Sequence, residues 1–198
     1  RYRAIVNCGK PLPDMEVAIR GEDGGLRKDR QIGKVWCRGP SVMHSYFRNA
    51  EATADCMVDG WLDTGDMGYM ADGYLFIVGR AKDMIIINGK NHWPQDIEWA
   101  VEQLPGFNHG DIAAFSIETD NGEEAPAVLV HCRVSDPEDR LRLRDTIRDK
   151  VRAITGMNCV VELVPPRSLP RTSSGKLSRA KAKKLYLSGE IEPFTLAA

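Results

Sequence analysis

No apolar run in this 198-residue chain approaches the ~18 residues that a membrane-crossing helix needs, and no apolar core follows a basic stub at its start. A transmembrane or visibly secreted protein is therefore not expected. Neither sign of charge is in surplus: 27 Lys and Arg stand against 28 Asp and Glu. That balance lacks the positive excess with which a dedicated nucleic-acid binder displaces counterions. Cysteines are too few, too scattered and odd in number for a disulfide scaffold. Cys8, Cys37, Cys56, Cys132 and Cys159 sit mostly in apolar surroundings, as reduced thiols of a cytoplasmic protein do. His44, His92, His109 and His131 show no paired ligand spacing with one another or with the cysteines, so no metal site is expected. A Gly-x-Ser-x-Gly elbow is missing, and Ser173 and Ser174 have no evident histidine partner, which weakens a hydrolase reading. Repeats of fixed period and long low-complexity tracts are absent too.

What remains is an ordinary soluble composition, 42% hydrophobic and 28% charged. At about 100–150 residues per domain, the length allows one large unit or two small ones. The chain opens on Arg1 rather than Met and runs straight into the strand-like Ala4-Ile5-Val6, so it is expected to be a fragment of a longer protein.

The first third carries short apolar runs, Val17-Ala18-Ile19 and Val35-Trp36-Cys37, cut by Gly21, Asp23-Gly24-Gly25 and Gly39-Pro40. These predict antiparallel strands. Asn49 opens a short helical stretch, Ala50 to Asp55. Asp59-Gly60 and Asp72-Gly73 predict tight turns, the second feeding a strand from Tyr74 to Val78.

A polar step at Gly79-Arg80-Ala81-Lys82-Asp83 precedes the apolar strand Met84 to Ile87 and marks a domain boundary, giving a β-rich region 1–79 and a second domain 80–198. Beyond it, Pro94 suits a helix start. Asp96 and Glu98 lie near the positive helix end, and Ile97, Val101 and Leu104 recur at helical spacing. Strands Ile112–Ile117 and Ala127–Val134 flank the polar turn Asp120-Asn121-Gly122-Glu123. Ser135 or Asp136 can cap a second helix with Leu143, Ile147, Val151 and Ile154 as its buried stripe and Gly156 as its end. A strand Cys159–Val164 and a basic helix Leu177–Leu187 follow. Helices returning to a small mixed or antiparallel sheet make an α+β domain.

Three stretches could carry chemistry. Asp63-Thr64-Gly65-Asp66 puts a carboxylate past a glycine turn, where Asp66 could accept the two hydroxyls of a ribose; taken alone, it reads more readily as a surface turn. Arg80 could offer a planar fork to a ribose or phosphate oxygen and Lys82 could be a pivot, or both belong to a solvated linker. Pro170-Arg171-Thr172-Ser173-Ser174-Gly175-Lys176 ends in Gly-Lys without the earlier glycine of a P-loop. Its lysine suits stabilisation of charge developing on a carboxylate or phosphate. The bland alternative is a basic loop leading to a solvated face of Arg179, Lys181, Lys183 and Lys184, a cluster without the interleaved aromatics of a nucleic-acid surface.

In this order, Thr64-Gly65-Asp66, Gly79 to Asp83 and Pro170 to Lys176 resemble the C-terminal portion of acyl-adenylate-forming enzymes, the superfamily of acyl-CoA synthetases, nonribosomal adenylation domains and luciferases. Cys8-Gly9-Lys10-Pro11-Leu12-Pro13 and Gly39-Pro40-Ser41-Val42-Met43 look like the family's preceding strands. The stretch Gly89-Lys90-Asn91-His92-Trp93-Pro94-Gln95-Asp96-Ile97-Glu98 is similar to fatty acyl-AMP ligases. Trp93 stands there where Tyr is usual, and Lys34 stands where the wider family commonly has Glu after Gly33.

The resemblance implies a distal β-rich subdomain of a large N-terminal domain followed by a small, mobile α+β C-terminal domain. It implies Asp66 at the ribose, Arg80 at ribose or phosphate, Lys82 as hinge and Lys176 as adenylation lysine. Gly89, Asn91, His92 and Trp93 would line the acceptor channel, within an Asn88–Trp93 loop. The implied substrates are a fatty acid and ATP, with AMP as product and Mg2+ accompanying the nucleotide. The implied acceptor is the phosphopantetheine arm of an acyl carrier protein; free CoA, as in an acyl-CoA synthetase, is the alternative. A non-catalytic carrier-protein or nucleotide-binding module is a further reading. The family's phosphate loop, adenine segment and acyl pocket lie outside these residues, so the chain alone is expected to be inactive.

Overall fold

The computed structural model describes residues 4–87, 89–119, 122 and 124–195. It clusters into two compact units, Arg1–Lys82 and Asp83–Ala198, each taken by itself below. Arg80 ends the last strand of the first unit, and a short 3-10 turn, Ala81–Asp83, spans the join.

In the first unit β1 (Glu16–Arg20), β2 (Gly33–Arg38), β3 (Met57–Val58), β4 (Trp61–Ala71) and β5 (Tyr74–Arg80) form an antiparallel sheet. The long β4 is its spine. One edge pairs with β2, while the other is shared between β3 at its start and β5 at its end. Both expected tight turns form with two successive left-handed residues, Asp59-Gly60 (φ 50° and 76°) and Asp72-Gly73 (φ 52° and 80°). That conformation matches the right-handed twist of the paired strands. Helix α1 (Ala50–Cys56) is capped by Asn49, whose Oδ1 accepts the Ala52 amide at 3.0 Å. The expected strand at Ala4-Ile5-Val6 is irregular backbone; just after it Asn7 bridges to Phe76, and Cys8 and Gly9 hydrogen-bond Leu75. Arg1, Tyr2 and Arg3 lie outside the described residues. The buried apolar core is thin: Ala18, Ile19, Val35, Ala71 and Val78.

In the second unit a mixed sheet of β8 (Ile112–Glu118), β9 (Glu124–His131) and β10 (Val160–Val164) pairs β8 antiparallel and β10 parallel to β9. Alternation along the strands divides the core in two. Ile112, Ala114, Val128, Val130 and Leu163 face helices α2 (Pro94–Glu102) and α3 (Pro137–Thr155), which contribute Ile97, Val101, Ile147 and Val151. Ala113, Phe115, Ile117 and Leu129 face α4 (Arg179–Leu187) and Ile191. Helices on both faces explain why these strands read as continuous apolar runs.

Asp136 caps α3 by accepting the Asp139 amide at 3.0 Å, and Gly156 ends it at φ 76°. Thr155, rather than Ile154, takes the last buried place on the stripe. The second strand ends at His131, short of Val134, and α4 begins at Arg179 rather than Leu177. The expected Asn88–Trp93 loop is corrected in part. Lys90–His92 forms strand β7, antiparallel to β6 (Ile85–Ile87), with Ile85 opposite His92. Asn88, and Asp120, Asn121 and Glu123 of the expected turn, lie outside the described residues. No helix among the described residues is long and apolar enough to cross a membrane.

Candidate functional site

In the first unit, the Asp63 to Asp66 stretch is a bulge inside β4, not a turn between segments. Trp36 lies opposite Asp63 and Lys34 opposite Met67, so Thr64, Gly65 and Asp66 together face Val35 alone. Gly65 supplies the left-handed residue (φ 72°) that such a bulge requires. The surplus backbone is tied down locally. Thr64 Oγ1 donates to the Val35 carbonyl at 2.8 Å and accepts the Asp66 amide at 3.1 Å, and Asp63 Oδ1 accepts the Gly65 amide at 2.9 Å.

The bulge re-aims Asp66 toward Arg80, its cross-strand neighbour on β5, whose Nε donates to Asp66 Oδ1 at 2.9 Å. The two side chains are 32% and 49% exposed, so the pair contributes little to stability and its carboxylate remains accessible. Asp66 Oδ2 accepts no hydrogen bond from a described residue, leaving a carboxyl oxygen open to a hydroxyl-bearing ligand. Lys34, the departure noted above, reaches Asp63 Oδ2 at 3.5 Å, at the base of the same bulge.

Lys82 is exposed within the 3-10 turn. In the second unit, Gly89 (φ 70°) turns the β6–β7 hairpin and Asn91 projects from it, exposed. His92 and Trp93 are half-buried, and Trp93 is the N-cap residue of α2. His92 Nε2 is buried without a partner among the described residues. Burial, with the charge of Lys90, holds the ring below the usual histidine range.

The Lys176 segment forms a hydrogen-bonded turn. Arg171 and Leu177 bridge its ends; the Thr172 amide donates to the Lys176 carbonyl at 2.8 Å, and Thr172 Oγ1 accepts the Lys176 amide at 3.1 Å. Arg171 braces it by donating to the carbonyls of Gly175 at 3.0 Å and Gly110 at 3.2 Å. Lys176 itself is exposed, and its ammonium pairs with no described residue. The turn thus presents a point charge on a braced backbone.

Two clusters escaped the sequence reading. Arg179 is not part of a solvated face. It forks onto buried Glu98, with both Nε–Oε1 and Nη2–Oε2 at 2.6 Å, and its Nη1 reaches Asp83 Oδ2 at 3.3 Å. Glu98 also accepts the Ala114 amide at 3.0 Å, so it serves as a buried acceptor rather than as a charge complementing the helix end. Burial opposes the Arg179 charge, but Glu98 and then Asp83 outweigh it and raise the guanidinium above its ordinary value. The one local signal was that a cation at the first position of α4 opposes the helix dipole.

The second cluster is buried beside the strand ends. His131 Nε2 accepts the Leu169 amide at 3.1 Å, which leaves Nδ1 to donate to Asp111 Oδ1 at 3.3 Å. Asp111 also accepts Arg133 at 2.7 and 3.2 Å and the Asn108 amide at 2.9 Å. Burial would raise the Asp111 carboxyl, yet Arg133, Asn108 and His131 together hold it well below the carboxylate range. No group of three or more His, Cys, Asp or Glu side chains able to hold a metal ion occurs among the described residues.

No protein-family model matches the chain. Individual proteins do. A Caulobacter vibrioides protein provisionally named an acyl-CoA synthetase is 46% identical over 191 residues, covering 96% of this chain and 33% of that protein. The medium-chain-fatty-acid–[acyl-carrier-protein] ligase JamA of Moorena producens is 35% identical, covering 96% of this chain and 34% of JamA. Among solved structures, one from a study of fatty acyl-adenylate ligases from E. coli and L. pneumophila superposes with a TM-score of 0.84 at 43% identity, over 95% of this chain and 34% of that one. The chain spans about a third of the length of each of these relatives.

Proposed function

Because the chain belongs to the AMP-binding, acyl-adenylate-forming superfamily, we propose that it is the C-terminal part of an ATP-dependent fatty acyl-AMP ligase. Region 1–79 is then the β-rich end of the N-terminal adenylation domain and 80–198 carries the C-terminal domain, with Arg80 ending the last strand of the first unit and the domain turning about Lys82.

The chemistry has two steps. A fatty-acid carboxylate oxygen bonds to the α-phosphorus of ATP as the bond to the bridging oxygen breaks, and that electron pair leaves on pyrophosphate. The thiol sulfur of an acceptor then bonds to the acyl carbon, the carbon–oxygen bond to phosphate breaks, AMP leaves and the thiol proton passes to solvent. Asp66 accepts the ribose hydroxyls, with Arg80 beside it at ribose or phosphate. Lys176 stabilises the charge that grows between carboxylate and α-phosphate in the first step. Rotation about Lys82 withdraws it and presents the hairpin carrying Gly89, Asn91, His92 and Trp93 to the thiol. The Mg2+ expected with ATP finds no three-ligand protein cage among the described residues, and no step here is assigned to it.

The observation that carries this reading is the braced turn that displays an exposed Lys176 whose ammonium has no partner among the described residues. The acceptor is the phosphopantetheine thiol of an acyl carrier protein, as the name of JamA supports; free CoA is favoured instead by the name of the Caulobacter relative. In the intact enzyme, Lys176→Ala should lower ATP–pyrophosphate exchange by roughly a hundred-fold or more with fatty-acid affinity little changed. An unchanged rate refutes the assignment. Thioester formation on a phosphopantetheinylated carrier protein compared with free CoA decides the acceptor. Exchange catalysed by this 198-residue chain alone would contradict its inactivity in isolation.

A further inference from the structure

Lys176 can act only if its backbone is held in place, and Arg179 lies three residues beyond it, at the first position of α4. The Arg179 guanidinium joins three parts of the second unit that are far apart in sequence. Its fork on Glu98 fixes α4 to α2, and its remaining nitrogen reaches Asp83, the first residue of that unit and the neighbour of Lys82. Glu98 and Asp83 are 8% and 14% exposed at their side chains, and Arg179 is 20% exposed. The group is therefore desolvated, and its geometry is far more constraining than a surface ion pair.

Arg171 and the Thr172 hydroxyl brace the turn at its tip, and Ser178 donates its amide to the Pro170 carbonyl at 3.0 Å. Arg179 takes over where these bonds end. Resting on the assignment of Lys176 above, we infer that Arg179 is a positioning residue for the adenylation step. It locks the base of the Lys176 turn to the residue next to the pivot, so that rotation about Lys82 moves the ammonium without slack. Neither the carboxylates nor the guanidinium touches substrate. Their work is to keep a charge in register, and misplacement by about 1 Å can cost on the order of a hundred-fold in rate.

The test uses the intact enzyme, with rates expressed per folded molecule. Arg179→Lys keeps the charge and loses the fork. Asp83→Asn removes only the charge on the 3.3 Å leg and leaves buried Glu98 compensated. Arg179→Lys should lower kcat for ATP–pyrophosphate exchange roughly ten- to a hundred-fold, with KM for ATP and fatty acid changed less than about two-fold. Asp83→Asn should lower kcat less, in the same direction. Introduced together with Lys176→Ala, neither should add a further loss, because the group they position is gone. Losses that multiply in the double variants, or a kcat within about two-fold of the parent in both single variants, overturn the positioning role. An unchanged rate in Lys176→Ala alone overturns the assignment of Lys176 instead.

Discussion

Protonation of His131 is a defined perturbation whose consequence follows from two hydrogen bonds. The ring is buried, donates from Nδ1 to Asp111 and accepts the Leu169 amide at Nε2. Only the neutral ring can make both bonds. A second proton on Nε2 turns the acceptor into a donor facing a donor, and leaves a buried amide unpaired at a cost of about 1–3 kcal/mol. Burial lowers the His131 pKa, Arg133 and Arg171 add to the fall, and Asp111 opposes it without reversing it.

The unfolded chain therefore binds the proton more readily than the folded one. The stabilisation is complete above the ordinary histidine value near 6.5 and is lost as pH falls from there through the folded-state pKa. One histidine can contribute a slope of at most about 1.4 kcal/mol per pH unit. His92, also lowered, adds its own share in the same range. Urea unfolding of the chain between pH 5 and pH 8, compared with His131→Gln, isolates the His131 share. The parent should lose more stability on acidification than the variant. Equal slopes, or stability that rises as pH falls, would refute the reasoning.

Gly65→Ala tests the bulge on its own, because a Cβ there meets no atom within 4 Å and only the left-handed backbone (φ 72°) resists it. The expected cost is about 1–2 kcal/mol in urea unfolding, with a raised KM for ATP in the intact enzyme as Asp66 shifts; an unchanged KM would detach the bulge from nucleotide binding. Thiol chemistry tests the reduced-cysteine reading. Cys8 is exposed and should alkylate readily at neutral pH, whereas burial pushes Cys159 up to about 11 and should protect it until the chain unfolds. Labelling of both at the same rate under native conditions would contradict the structure.

Elements whose signals are local were legible in the sequence. Asn49, Asp136 and Gly156 mark helix ends because capping is chemistry between neighbours. The Asp-Gly pairs mark turns because few residues adopt two left-handed conformations in succession. A small sheet packed by helices was foreseeable from apolar runs separated by helical stripes, but whether it was mixed or antiparallel was decided only by the parallel pairing of β10 with β9. Misreadings arose where partners are distant in sequence. Asp63 to Asp66 looked like a turn because its glycine signalled a left-handed residue, and only pairing with β2 shows that residue inside a strand. Arg179 looked solvated because Glu98 lies 81 residues away. His131 offered no ligand spacing because its partners, Asp111 and Leu169, are brought to it by the sheet edge and by the segment after β10. The expectation of a site at Asp66, Arg80, Lys82 and Lys176 came only from their stretches as an ordered set, since each stretch alone reads as a turn, a linker or a basic loop.

In the proposed function the carboxylate of Asp66 and the ammonium of Lys176 serve one nucleotide. The most direct measurement is a crystal structure of the intact enzyme with a non-hydrolysable acyl-adenylate analogue, trapped in the adenylating arrangement. Asp66 should then lie within about 3 Å of the ribose hydroxyls and Lys176 Nζ within similar reach of the oxygens joining acyl group and phosphate. An analogue bound with full occupancy in that arrangement and either group well beyond hydrogen-bond reach would contradict it.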